Sequence, residues 1–177
     1  MSALEDLRRK IVLCKKCDLG SIGSRVVPGE GSVYPQIMIV GEAPGVNEEK
    51  VGRPFVGRGG KLLRNSLEKF GIRNVYITNV VKHRPPKNRK PKKEEISACS
   101  AFLEFEINAI KPRVILALGR TASEYFGVKS RLSEANGKVF TVNGIKVIAC
   151  YHPAAVLRNV NLKDEFNRAI KQAKSFI

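Results

Sequence analysis

The stretch "QIMIVGEAPGVNEEKVGRPFVGRGGKLLRNSLEKFG" (residues 36–71) decides the fold class. Residues 36–40 form a short apolar run that stops at Gly41, the pattern of a buried strand feeding a glycine-rich loop. After that loop, residues 61–71 place Leu62, Leu63, Leu67 and Phe70 on one side of an amphipathic helix with a glycine stop. The alternation continues outward. "NVYITNVV" (74–81) reads as a strand, "KEEISACSAFLEFEINAI" (93–110) as a long helix, and "RVILALG" (113–119) as another buried strand before the helix "RTASEYF". "KVFTV" and "IKVIACY" flank Asn143-Gly144, a strong hairpin signal. Residues 3–13 and 162–176 have helical spacing.

Strand and helix alternating from 36 to 126 predict an α/β fold: a three-layer α/β/α sandwich around a central, mainly parallel sheet of about four strands. Ligands of such sheets bind beyond the carboxyl ends of the strands. The loops 41–58, 82–92 and 151–159 all follow predicted strands and are expected to converge on one edge. The chain has 177 residues, of which 43% are hydrophobic, enough for one domain with a proper core. A single domain over 1–177 is therefore expected.

The net charge of +16 and a pI near 10.0 create a field that attracts polyanions, nucleic acid ahead of anionic membrane. A lysine-rich surface of the kind found in some thermophile proteins is the plainer reading of the same charge. No apolar run approaches the ~20 residues of a membrane span. The start, "MSALEDLRRK", is amphipathic and acidic rather than a signal peptide. A cytoplasmic, nucleoid-associated protein without a membrane partner is expected, acting as a monomer. In a reducing compartment the four cysteines read as metal ligands or buried thiols. Cys14-x-x-Cys17 is a compact bidentate clip that, with two more soft ligands, suits zinc or an iron–sulfur cluster, although CxxC also occurs in redox motifs.

Residues 41–63 fail as a phosphate-binding loop, because the seven residues ending at Lys61 begin with Phe55 and Leu62 replaces the Ser/Thr. Instead, GEAPG followed by an acid and GRPFVG resembles the first motif of the family 4 uracil-DNA glycosylases, thermostable iron–sulfur members of the uracil-DNA glycosylase superfamily. "VYITNVVKHRPP" resembles their second block, and "HPAAVLRN" (152–159) their HPA motif. The match runs from Cys14 to about Asn159, and three separated motifs in the right order make the resemblance specific. It implies a monofunctional enzyme of base excision repair that flips uracil out of DNA and hydrolyses its N-glycosidic bond, leaving an abasic site.

The resemblance also implies roles. Gly41, Glu42 and Ala43 would line the substrate pocket, Phe55 would stack on the flipped base, and Asn79 would read its edge by donating to O4 and accepting from N3–H. Glu48 would crowd C5 and reject the thymine methyl, and His152 would donate to O2 as charge builds on the leaving base. The plainer alternatives are a core phenylalanine, an asparagine bonded to backbone, a solvated acid and a structural histidine. Where the wider superfamily carries an aspartate in the first motif, this chain has Ala43, in agreement with family 4. Glu42 is then the candidate to position water or stabilise the oxocarbenium-like sugar, with leaving-group stabilisation by His152 carrying more of the catalysis. In the HPA loop, Val156 and Leu157 are candidate wedges into the gap left by the base, with Arg158 on a phosphate.

Between Lys82 and Lys93 lie seven Lys or Arg and no acid, so Arg84, Lys87 and Arg89 are expected to track phosphates. The family supplies four cysteines to a [4Fe–4S] cluster, and Cys14, Cys17 and Cys99 match three of those positions. At the fourth stands His83, one of only two histidines in the chain. A Cys₃His site spanning 14–17 and 83–99 is the leading expectation. Cys150 as fourth ligand, an incomplete cluster, or zinc are the alternatives. A related class that crosslinks itself to uracil-containing DNA also carries "KH" here. It uses a second histidine in a following insert, however, and "NRKPKKEEI" has none. A non-catalytic iron–sulfur or zinc nucleic-acid-binding module is the competing function. The C-terminal "QAKSFI" is a near miss for a sliding-clamp peptide and supports no clamp partner.

Overall fold

In the computed structural model, which describes residues 3–177, helix α1 (Ala3–Val12) buries Leu7 and Ile11 and runs into the CxxC turn, followed by the short α2 (Asp18–Ser21). Strand β1 (Glu30–Gly31) precedes β2 (Ile37–Gly41), whose five residues are all buried. The glycine-rich loop contains α3 (Val46–Val51) and leads to α4 (Arg58–Lys69), then β3 (Val75–Asn79). Helix α5 (Lys93–Ile110) starts where Glu95 Oε2 accepts the Lys92 N–H at 2.7 Å, and ends at left-handed Lys111 before Pro112. β4 (Val114–Leu118), α6 (Gly119–Tyr125) and α7 (Leu132–Ala135) follow. β5 (Val139–Val142) and β6 (Ile145–Cys150) form a hairpin whose turn residues Asn143 and Gly144 have φ of 48° and 80°, as a two-residue primed turn requires. Helices α8 (Pro153–Arg158) and α9 (Lys163–Lys174) complete the chain.

The strands form one six-stranded sheet in the order β1-β3-β2-β4-β6-β5. The four central strands are parallel and are the ones the sequence pattern anticipates as the sheet's body; β1 and β5 add antiparallel edges. The two-residue β1 is too short to leave a periodicity signal. Because side chains alternate along a strand, the sheet carries two cores. Met38, Val40, Ile115 and Ala117 meet Leu7, Ile11, Phe102, Leu103 and Ala122 of α1, α5 and α6. Ile37, Ile39, Val114 and Leu116 meet Leu63, Leu67, Val156, Phe166 and Ile170 of α4, α8 and α9. The three-layer α/β/α sandwich is present as expected.

Register places the site. Gly41 of β2 lies opposite Asn79 of β3, and Leu118 of β4 opposite Cys150 of β6, so the parallel strands end level. The residues that follow open onto one edge. Among the described residues no helix is long and apolar enough to cross a membrane.

Candidate active site

At that edge lies a cleft of about 530 Å³, lined among others by Glu42, Phe55, Asn79, Arg120, His152 and Arg158. All three loops singled out in the sequence reach it. Gly41 is the floor: a Cβ there would come within 2.4 Å of Asn79 Oδ1 and 2.6 Å of Phe55 Cζ, so only glycine lets the two side chains close over the strand end.

Phe55 is held in a left-handed conformation at φ 53°, uncommon for a bulky residue, so the surroundings must enforce it. Glu48 Oε1 accepts the N–H groups of Val56 at 2.9 Å and Gly57 at 2.8 Å, fixing the turn after the ring. Arg64 donates to the carbonyls of Phe55 at 3.4 Å and Pro54 at 3.3 Å. α4 packs so close that a Cβ at Gly60 would lie 1.9 Å from the Phe55 carbonyl oxygen. The ring contributes to the core and also lines the cleft, 5.8 Å between centroids from His152. Glu48 is thus more than a solvated acid.

His152 caps α8. Its Nδ1 accepts the Ala154 N–H at 3.2 Å, which leaves the proton of a neutral ring on Nε2. Burial, helped by Arg158 and opposed by Glu48, lowers its pKa to about 4, so the ring is neutral at pH 7. Asn79 is buried, and its Oδ1 has no hydrogen-bond partner. A buried acceptor without a donor is costly unless a ligand supplies one. Glu42 Oε2 accepts a short hydrogen bond from the Thr121 hydroxyl at the start of α6. Ala43 also lines the cleft.

Val156, read from sequence alongside Leu157 as a DNA contact, is corrected by the structure. It is 3% exposed and packs in the core beneath α8. Leu157 is 44% exposed, and Arg158 is exposed at the mouth. Val156 falls on the face of α8 that packs on the core, while Leu157 and Arg158 lie on its solvent side. In the basic loop, Arg84 pairs with Glu49 at 3.1 Å, and Arg89 makes two bonds to Glu95 at 2.8 and 2.5 Å, while Lys87 stays exposed. Two of the three cations expected from the sequence to track phosphates are therefore already engaged within the protein.

Cys14, Cys17 and Cys99 border the same core cluster on the α1/α5 side of the sheet. The Cys99 thiol accepts the Lys82 backbone N–H at 3.4 Å, and burial raises its pKa. His83, next in the chain, is buried, and burial lowers its pKa against the pull of Glu49, leaving a neutral ring with a free lone pair. Cys150 lies in the opposite core, fully buried behind the sheet with its thiol pushed up in pKa, and cannot join the other three. Among the described residues, no three His, Cys, Asp or Glu side chains stand in the arrangement that holds a single metal ion.

Sequence reasoning missed Thr121, Arg58 and Arg120. The signal was present: "ALGRTAS" is a strand end with a glycine, and in a doubly wound sheet every strand end opens to the same edge. The family model for the uracil DNA glycosylase superfamily matches residues 28–174. The chain is similar to a type-4 uracil-DNA glycosylase of Archaeoglobus fulgidus, 44% identical over 97% of this chain and 92% of that protein. A type-4 uracil-DNA glycosylase of Thermotoga maritima is likewise 44% identical, over 98% of this chain and 94% of its own length. A type-5 uracil-DNA glycosylase of Pyrobaculum aerophilum is 32% identical over 89% of this chain and 77% of that protein. With agreement of this extent along nearly its whole length, the chain belongs to the uracil DNA glycosylase superfamily and, within it, to the type-4 family.

Proposed function

We propose that this protein is a monofunctional uracil-DNA glycosylase that flips uracil from DNA and hydrolyses its N-glycosidic bond. The observation that carries the reading is the buried, unpartnered Asn79 Oδ1 beside the Phe55 ring. Uracil stacked on Phe55 offers N3–H to that oxygen, and its O4 accepts from the Asn79 amide. Cytosine presents an acceptor at N3 and a donor at the exocyclic position. It would leave the asparagine unpaired twice over, the strong form of discrimination.

His152, neutral with its proton on Nε2, donates to uracil O2 as negative charge develops on the leaving base. A neutral donor stabilises that charge without first giving up a proton. Glu42, oriented by Thr121, positions water and faces the cationic sugar. Glu48 sets the Phe55 turn and closes the C5 side of the cleft against a methyl group. Leu157 is the wedge into the gap left by the base, and Lys87, Arg158 and Arg58 meet phosphates, with Arg84, Arg89 and Arg120, each already paired with a carboxylate, as secondary contacts.

Cys14, Cys17, Cys99 and His83 would hold a [4Fe–4S] cluster. The donors are soft or neutral, three share one face of the fold, and a backbone N–H already meets one sulfur. Bound there, the cluster would tie the CxxC turn to α5 and to the segment after β3.

The test is uracil release from matched oligonucleotides containing uracil or thymine, at several temperatures. Release from the uracil strand alone, with an abasic site left behind, is expected. Equal binding to both strands with no base released would overturn catalysis and favour a non-catalytic binding module.

A further inference from the structure

Beneath the pocket lies a charged pair that the mechanism leaves unused. Lys82 and Glu106 are 1% and 0% exposed, and Lys82 Nζ lies 2.8 Å from Glu106 Oε2. Two isolated charges at such depth are strongly disfavoured, so they persist only if both are paired and each ammonium proton and carboxylate oxygen is hydrogen-bonded. Here they are. Lys82 Nζ also donates to Thr78 Oγ1 at 2.6 Å and to the Asn79 carbonyl at 2.9 Å, using all three of its protons. Glu106 accepts from Tyr76 Oη at 3.1 Å and Thr78 Oγ1 at 3.0 Å.

The third bond of Lys82 reaches the residue that reads the base. The Asn79 side chain makes no bond through Oδ1, so the amide must be aimed by its backbone. That backbone is pinned from both ends of one short segment. Val80 N–H and Val81 N–H donate to the carbonyls of Gly41 at 2.9 Å and Glu42 at 3.1 Å, and the Lys82 carbonyl accepts the Val27 N–H at 2.8 Å. The Asn79 carbonyl itself is held by the Lys82 ammonium. Cys99 and Glu106 stand seven residues apart on one face of α5. Lys82 therefore meets the helix twice, with its backbone at Cys99 Sγ and its side chain at Glu106.

We infer that Lys82, neutralised by Glu106, is a positioning residue for uracil recognition: its ammonium fixes the Asn79 peptide and so aims the Asn79 amide at the base. This role rests on the glycosylase reading above. A pair that served stability alone would be replaceable by any neutral pair that packs.

The experiment uses the full chain and compares Lys82→Met, Glu106→Gln and the double variant Lys82→Met/Glu106→Gln. Three quantities are followed: melting temperature, metal content per chain, and binding of DNA carrying 2′-fluorodeoxyuridine against matched thymine DNA, alongside single-turnover uracil release. The double variant leaves no unpaired buried charge; the Gln carbonyl oxygen can accept from Tyr76, and its NH2 can donate to the Thr78 hydroxyl that Lys82 no longer occupies. Its melting temperature and metal content are expected to stay near wild type, while the preference for uracil over thymine and the single-turnover rate fall about 10- to 100-fold. Glu106→Gln leaves the ammonium on the Asn79 carbonyl; it is expected to melt earlier yet keep the preference within about threefold. If the double variant does not fold, Glu106→Gln decides, and loss of its preference while folded overturns the role. A folded double variant with wild-type preference also overturns it, as does a loss that tracks metal content. Wild-type protein that releases no uracil overturns the activity reading and this role with it.

Discussion

His152 shows how much a single burial can decide. An ordinary histidine titrates near 6.5, but burial moves this ring to about 4. It is therefore neutral above about pH 5, and cleavage by the native protein should hold its rate from pH 8 to near 5. A limb at pH 6.5 assigned to His152 would contradict the neutral-donor role. Stability carries the same sign: between about 4 and 6.5 the unfolded chain binds a proton that the folded chain refuses. That contribution falls as pH drops through the window and is recovered as it rises. His152→Ala should cost about 10²–10³ in single-turnover rate, and Glu42→Gln less; the reverse order would move the main catalytic contribution to the carboxylate. Gly41→Ala tests the pocket floor without removing any polar group. The added methyl collides with Asn79 and Phe55, so uracil release should drop by at least about 100-fold, roughly 3 kcal/mol of barrier, with the protein still folded. Circular dichroism beside the kinetics separates the two.

Among the elements, α5 links distant parts of the site. Its first turn is set by Glu95, which caps the helix and clamps Arg89. Cys99 and Glu106 on its inner face meet the two ends of Lys82. This buried polar face explains why the helix is weakly amphipathic in sequence yet firmly placed. The cysteine site depends on the same helix. Protein purified anaerobically should be brown with about four irons per chain. His83→Cys should keep that colour and His83→Ala lose it, read by absorbance and metal analysis. An unchanged alanine variant would remove His83 from the ligand set, and colourless protein with one zinc would replace the cluster. Cys150→Ala should leave iron content alone, since its thiol lies across the sheet.

Across the whole molecule, the charge of +16 creates a field that attracts polyanions, and on the proposed reading the cations around the cleft are the part of it that meets DNA. Binding should weaken steeply with salt. Lys87→Ala and Arg158→Ala should each lower the slope of log affinity against log salt by about 1, equally for uracil and thymine DNA. Arg84→Ala and Arg89→Ala should change the slope less, because their partners Glu49 and Glu95 already neutralise them. Equal effects from all four would mean that those ion pairs open on binding.

Much of this was legible along the chain. Apolar runs ending at Gly41, Asn79 and Leu118, separated by helical spacing, are local signals, and they sufficed for the parallel sheet and for the edge where its loops meet. The residues quoted from GEAPG, GRPFVG, TNVV and HPA could be picked out because each sits in a compact stretch. What folding added lay between residues distant in sequence. Val156 and Leu157 are adjacent and alike, and only the packing of α8 sends one inward and the other out. Thr121 meets Glu42 across 79 positions, and Lys82 meets Glu106 across 24. In sequence Lys82 was one more cation in a basic run; in the fold it is the one turned inside. Periodicity reports which face a residue shares with its near neighbours. Which distant partner satisfies a buried charge is set by how the layers close, and that is a property of the folded chain.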